Sequence, residues 1–387
     1  MSEPQLRGNI GEWSEIYVFL RLLANGRLDV ADETLNAVPN EFYKILTIIR
    51  KEAQSENEYL RYDDYINIKV KNDVTGEMET FSMSVGKFAE NADILLHNIK
   101  HNFKYTQPEI EKFLAELKVY SIKDVGHKRD ITITIEDFHN GMAQTLGFSI
   151  KSFLGAKSTL FNPGAGTNFI YRVEFPEGLN VDCDEFNAFT YDGKPNKIAF
   201  RIEEISRRGG KIIFDHVQSE CLSQNLRTID GDLPFILSQL LLIKYRLNRG
   251  TWKKFIEVLT EENPLNFRID DHGQVYEYKV KRFLQDCAMG MTPEKPWTGF
   301  YDATGGQIIV KKDGDIVCYH VYELNRFLQY LLDGTKLEQA STSEDPNNPG
   351  HVRMSSSGSR PKPYQFGWLY EEDGKYFFKI NLQVRFK

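Results

Sequence analysis

The sequence predicts a mixed α/β protein, with a central mixed sheet flanked by helices and a helical, β-hairpin-bearing elaboration toward the C-terminus. Two observations carry this. Helix-like and strand-like patterns interleave over residues 9–175, and residues 233–333 then turn to long stretches of helical apolar spacing. Elements grouped in this way build a layered core of sheet and helix.

The elements follow in order. "NIGEWSEIYVFLRLLA" at 9–24 has an apolar face and ends at Asn25-Gly26, a left-handed helix stop. Residues 62–85 alternate as strands, "YINIKVKN" and then "METFSMSV", around a turn at Asp73–Gly76. "QPEIEKFLAELKVY" at 107–120 has helical spacing. "HKRDITITIED", "GFSIKS" and "TNFIYRVEF" read as three strands. Helices are expected at 233–249, 251–262, 276–290 and 321–333, and hairpins at 307–321 and around Glu372–Gly374. Residues 340–363, rich in Ser, Pro, Asn and Gly, have little to bury and read as a mobile loop. These textures divide the chain into 1–230 and 231–387, or leave it as one elaborated domain.

Bulk properties narrow the class. A hydrophobic content of 41% and a charged content of 27% fit a globular chain with a real core. The net charge of −7 argues weakly against a nucleic-acid partner, because a basic cleft can sit on an acidic body. Cys183, Cys221, Cys287 and Cys318 are far apart and form no zinc or disulfide pattern, so a reducing cytoplasm is expected. The longest apolar run, "PFILSQLLLI", is too short to span a bilayer, and no membrane partner is expected.

The chemistry gathers on two strands. In "DITITIED", alternation puts Asp130, Thr132, Thr134 and Glu136 on one face and three isoleucines on the other. In "GFSIKS", Ser149 and Lys151 share a face. If the two strands are neighbours, Asp130 and Lys151 converge at one sheet edge. A carboxylate for a hard cation beside an amine is the combination that phosphodiester hydrolysis uses. The backbone carbonyl of Ile150 is a further candidate ligand. Glu12 and Glu15, on the first helix behind Gly8 and Gly11, can supply a replacement ligand or support one. The same residues also fit blander roles, Lys151 as a strand end reaching solvent and the two glutamates as an ordinary solvated helix face.

Three blocks sharpen the choice. "GEWSEIYVFLRLLANGRLDVAD" at 11–32, "GFSIKSFLGAKSTLFNPGAGTNFIYRV" at 147–173 and "GKYFFKINLQVRF" at 374–386 resemble the HpaII-type family of type II restriction endonucleases, in the PD-(D/E)XK nuclease superfamily. The resemblance implies a nuclease core in 1–230, with 231–387 contributing to DNA recognition. It implies Mg²⁺-dependent cutting of both strands of double-stranded DNA at a short palindrome, CCGG, and a cognate methyltransferase guarding the host. By this resemblance Asp130 is the first acidic residue, a metal ligand. Lys151 is the motif lysine, and Glu15, ahead of Glu12, is the helical glutamate. The departure is Ser149, which stands where an Asp or Glu is expected. That substitution keeps open a DNA-binding protein that no longer cuts, and a repair or structure-specific nuclease on the same core is a further alternative.

DNA contacts are expected from the glycine-containing loop after the lysine, at Lys157, Ser158, Thr159 and Asn162. A tight connecting turn would explain that loop equally well. Arg207, Arg208, Arg353 and Arg360 are candidate readers of guanine, which arginine contacts through O6 and N7 together. A palindromic site favours a homodimer, with a monomer acting twice as the alternative.

Overall fold

The structure, a computed structural model, describes residues 6–125, 129–138, 140–155, 159–188, 197–269, 274–301, 303–339, 344–345, 348–352 and 366–387. The chain opens with α1 (Ile10–Asn25), β1 (Arg27–Ala31), β2 (Ala37–Lys51), β3 (Ser55–Arg61), β4 (Tyr65–Asn72), β5 (Met78–Ser84), α2 (Val85–His101) and α3 (Pro108–Glu116). There follow β6 (Ile131–Glu136), β7 (Ala143–Ser152), β8 (Thr159–Phe161), β9 (Asn168–Glu174), α4 (Cys183–Ala188), α5 (Lys197–Arg207), β10 (Lys211–Val217) and α6 (Glu220–Ile229). Then come α7 (Leu233–Leu247), α8 (Trp252–Glu262), α9 (Val275–Ala288), β11 (Gly306–Val310), β12 (Ile316–His320), α10 (Leu324–Gly334) and β13 (Thr335–Leu337). The last elements are β14 (Glu344–Asp345), β15 (Asn348–Val352), β16 (Leu369–Glu372), β17 (Lys375–Asn381) and β18 (Val384–Phe386).

Two compact units result, Met1–Ser158 with Tyr301–Phe327, and Thr159–Phe300 with Leu328–Lys387. The division expected near residue 230 therefore falls inside the second unit. The 307–321 hairpin, assigned by sequence to the C-terminal region, belongs to the first. The reason is strand direction. β11 lies parallel to β7, with Gln307 beside Ser149 and Ile309 beside Lys151. Parallel neighbours need a long crossover, and residues 159–300 lie between them in the chain.

In the first unit, among the described residues, a nine-stranded sheet has the order β1-β12-β11-β7-β6-β2-β3-β4-β5. β1 also pairs with β2, so six strands form a closed circuit of pairings. The sheet is mixed: β1–β12 and β7–β11 are parallel, whereas β6 pairs antiparallel with both β2 and β7. The hydrophobic core joins α1 and α2 to one sheet face through Trp13, Ile16, Leu20, Phe88, Ile133 and Phe148.

Local sequence explains most of these elements. Asn9 caps α1 in a reciprocal box with Glu12, and Gly26 closes it at φ 70°. Gly314, at φ +106°, makes the β11–β12 turn, and a side chain there would strike Leu96. The Gly314 carbonyl accepts the Tyr17 hydroxyl at 2.6 Å, tying that turn to α1. Strands β1 to β3 escape a periodicity reading. β2 begins "AVPN", with Pro39 and then Asn40 at φ 64°, so alternation is broken at its start. α2, absent from the sequence reading, packs Phe88, Ala92, Leu95 and Ile99 at helical spacing into the core.

In the second unit, β10-β9-β17-β16 form an antiparallel sheet, with the tail hairpin pairing to β9 as its alternation suggested. A separate three-stranded sheet runs β13-β18-β8. Trp252 and Tyr171 bury their rings while donating to Thr335 Oγ1 and the Ser238 carbonyl. Within the segment expected to be a mobile loop, residues 344–345 and 348–352 pair as β14 and β15, and the remainder from 340 lies outside the described residues. Among the described residues, no helix is long and apolar enough to cross a membrane.

Ile133 lies fully buried in the core cluster shared with α1. Ile133→Ala should lower unfolding free energy by about 2–5 kcal/mol, read as a lower urea midpoint at unchanged slope.

Candidate functional site

The two chemistry-bearing strands are neighbours. Ile131 pairs with Phe148 and Thr132 with Gly147, and one further step of that register sets Asp130 opposite Ser149. Asp130 donates its N–H to the Phe148 carbonyl at 3.0 Å. Its carboxylate Oδ2 accepts the Ile150 N–H at 2.6 Å. That second bond fixes the carboxylate at the end of the β6–β7 pair, one residue from Lys151. The carboxylate feels the Lys151 charge and that of Lys123. Burial outweighs both cations and the Ile150 bond, and the Asp130 pKa lies above the ordinary aspartate range.

α1 brings the second carboxylate. Its apolar residues seat the helix in the core, and Glu15 is carried into largely desolvated surroundings. Desolvation first, and then the Asp130 charge, push Glu15 up to about 8, against the opposing pull of Lys123 and Arg50. Mutual repulsion of this kind places Glu15 and Asp130 in one electrostatic neighbourhood. Glu12 has other employment. Its Oε2 accepts the Asn9 N–H at 2.8 Å, and its Oε1 pairs with Lys123 Nζ at 3.0 Å. The Asn9 bond chiefly holds its pKa below the ordinary value. Of the two glutamates singled out by sequence, Glu15 is therefore the one whose carboxyl lies in the electrostatic reach of Asp130 without a hydrogen bond or ion pair of its own among the described residues.

The glycines ahead of these glutamates differ. A side chain on Gly8 would come within 2.7 Å of Ile122 Cδ1, so close approach there is real, whereas Gly11 meets only the Asn9 side chain. Sequence reasoning missed Lys123. It pairs with Glu12 and lies near enough to Glu15 and Asp130 for both to raise its pKa. It stands in a loop seven positions before Asp130, outside any periodic element, so spacing carried no signal for it.

The candidate DNA-contacting residues fare unevenly. Lys157, Ser158, Arg353 and Arg360 lie outside the described residues. Thr159 opens β8 opposite Arg385, and Asn162 is exposed just beyond that strand. Arg207 and Arg208 stand where sequence put them, before a turn at Gly209, but both guanidinium groups bind the buried Glu204. Arg207 reaches both Glu204 oxygens, at 2.6 and 2.8 Å, and Arg208 also lies over the Phe186 ring. The basic stretch at 244–254 is likewise muted. Lys244 is largely buried, which pulls its pKa down to about 8, and Arg246 pairs with Glu262.

A hard divalent cation fits this chemistry. Among the described residues, no group of three or more His, Cys, Asp and Glu side chains could hold a metal. The protein instead offers two desolvated carboxylates, Asp130 and Glu15, with the Ile150 backbone alongside. Mg²⁺ commonly binds one or two carboxylates and completes its shell with water and phosphate oxygens. Two like charges held in a desolvated place also gain from a counter-ion.

The fold and site thus define a class, a mixed α/β protein in which two neighbouring interior strands bring a carboxylate beside a lysine. A family model described as "HpaII restriction endonuclease" matches residues 9–386. The chain is also 36% identical over 383 residues to "Type II restriction enzyme HpaII" of Haemophilus parainfluenzae, covering 98% of both chains. No solved structure matches. The chain belongs to the HpaII restriction endonuclease family and is a type II restriction enzyme, a site-specific deoxyribonuclease.

The raised Glu15 pKa has a consequence for stability. Between about 4.5 and 8 the native state holds a proton on Glu15 that the unfolded state has released. The stability tied to that proton is complete below 4.5 and lost as pH rises through 8. In metal-free buffer, Glu15→Gln should gain on the wild type by on the order of a few kcal/mol across that window. Paired thermal melts at several pH values check this, and a difference that stays flat with pH would remove the buried-carboxylate assignment.

Proposed function

We propose that this restriction endonuclease hydrolyses phosphodiester bonds in double-stranded DNA at CCGG, using Mg²⁺ held by Asp130 and Glu15. The observation that carries the reading is Asp130 at one end of the β6–β7 pair, within reach both of the Lys151 charge on β7 and of the Glu15 carboxyl on α1. The first unit then corresponds to a PD-(D/E)XK core, with the helical glutamate on α1, the first acid before β6 and the lysine on β7. CCGG rests on the likeness to the Haemophilus enzyme and to its family.

Asp130 and Glu15 would hold the cation, with the Ile150 carbonyl as a further oxygen. When bound, the cation supplies charge neutralisation for the phosphate and lowers the pKa of an associated water. Lys151, beside the carboxylates, stabilises negative charge developing on the phosphoryl oxygens. The Ile150 N–H holds the Asp130 carboxylate in a fixed orientation, so no reorganisation is needed as charge develops. Products carry 5′-phosphate and 3′-hydroxyl ends. A palindrome is served most simply by a homodimer. A methyltransferase of matching specificity protects host DNA, and both partners belong in the cytoplasm. The segment from Lys157 to Asn162, which includes β8, is the first choice for backbone contacts, and Arg353 and Arg360 for base contacts.

Plasmid cleavage followed by sequencing of the fragment ends should return CCGG at every cut. A different consensus would discard the proposed site, and uncut plasmid in Mg²⁺ would discard the metal assignment. Asp130→Ala and Lys151→Ala should each slow cleavage by about 10²-fold or more. Gel shifts in Ca²⁺ should show DNA binding largely retained. Ser149→Ala should be milder than either, and wild-type cutting by Asp130→Ala or Lys151→Ala would overturn the assignment of that residue.

A further inference from the structure

The absent acid at position 149 leaves a question that the neighbouring strand answers. Gln307 on β11 stands in register with Ser149 on β7, and partners in a parallel pair project to the same face. Gln307 is fully buried. Neither its Oε1 nor its Nε2 has a hydrogen-bond partner among the described residues. The same holds for Thr132 Oγ1, buried on the other side of β7 and paired in register with Gly147. Each orphaned polar group of this kind costs on the order of 1–3 kcal/mol. Three such atoms flank β7, at the register positions of Ser149 and Gly147, two and four residues before the motif lysine, and are costly for a purely structural core. Apolar residues of the same shape would pack there without that cost.

Their placement suggests a use. Ser149 is only half-buried, whereas Gln307 lies deeper on the same face. A hydroxyl that donates its proton inward to a carboxamide oxygen turns its own lone pairs outward. We propose that Gln307 is a positioning residue of the cleavage site, whose Oε1, unpartnered among the described residues, accepts a hydrogen bond from the Ser149 hydroxyl when the cation binds, so that Ser149 Oγ faces the cation as a neutral oxygen. Ser149 and Gln307 together then stand in for the carboxylate that β7 lacks. This rests on the reading in which Asp130 and Glu15 hold the cation.

Calorimetric titration of the protein with Mn²⁺ tests the idea, alongside the Mg²⁺ concentration that half-saturates cleavage. Gln307→Leu should weaken Mn²⁺ binding about five- to tenfold and raise the Mg²⁺ requirement to match. Ser149→Ala should do the same. The double variant should be no worse than either single one, because Gln307 acts through Ser149. Metal-free melting of Gln307→Leu should be unchanged or raised, which a packing role would not give. Gln307→Met, which keeps the chain length, carries the same expectations should the branched side chain fail to pack. Unchanged Mn²⁺ affinity in the leucine or methionine variant overturns the proposal, as do fully additive losses. Asp130→Ala separates the two readings. If it too binds Mn²⁺ like wild type, the metal assignment falls and this proposal falls with it. If it loses binding while Gln307→Leu retains it, the role of Gln307 alone is wrong.

Discussion

The burial of α1 against the central sheet is the constraint on which the site depends. Nine residues of this 16-residue helix are buried, among them Trp13, Ile16, Tyr17, Leu20 and Leu23. Burying each large apolar side chain is worth about 1.5–3 kcal/mol, so the helix has little freedom to shift. Glu15 lies between Ser14 and Ile16, both buried, and travels with them into a place where a lone carboxylate would not settle by itself. The energy that holds its carboxyl near Asp130 is supplied by the apolar face, and among the described residues not by a hydrogen bond or ion pair of Glu15 itself. The capping box at Asn9 and the Tyr17–Gly314 bond hold the same helix at its start and at its middle. One joins the helix start to Glu12, and the other joins its middle to the β11–β12 hairpin.

Charge is distributed in a way that composition cannot reveal. The chain is acidic overall, and several arginines of its basic stretches are paired within the protein. Arg207 and Arg208 share Glu204, and Arg246 shares Glu262. Lys244 is desolvated instead of being displayed. A run of Lys and Arg in sequence reports a count of charges and says nothing about their partners. Acidic residues three, four or sixteen positions away made the difference here. At the site the opposite holds. Lys123 and Lys151 face carboxylates that burial has already made costly, so each cation has a larger effect than its exposure would suggest.

Much of the site was legible because strand alternation is a strong local rule. "DITITIED" and "GFSIKS" gave the correct facing residues, and their pairing followed once they were neighbours. α1 was legible from its apolar spacing and from Asn25-Gly26. The neighbours of β7 on its other side were not. β11 reaches β7 only after an intervening stretch of well over a hundred residues, and no local pattern in "QIIVKKDGDIV" distinguishes a core strand from a peripheral hairpin. β2 hid behind Pro39 and a left-handed Asn40. Lys123 hid in a loop. In each case the deciding contact lies far away in sequence, where periodicity has no reach.

Ser149 takes on a different aspect against this background. Asp130 and Glu15 already repel one another in desolvated surroundings, and the rise of Glu15 to about 8 is partly that repulsion. A third carboxylate at position 149, opposite Asp130 across the strand pair, would add a further like charge to the same desolvated edge. The two existing acids would then hold their protons more tightly, and a cation would have to displace them at neutral pH. A neutral oxygen avoids that cost while still offering a lone pair. The drawback is weaker attraction for the cation, which Lys123 and Lys151 make worse by their own charge. Under the proposed assignment, a site of this composition would hold its metal loosely until a phosphate arrived with its own negative oxygens, and binding of DNA and of the cation would then support one another.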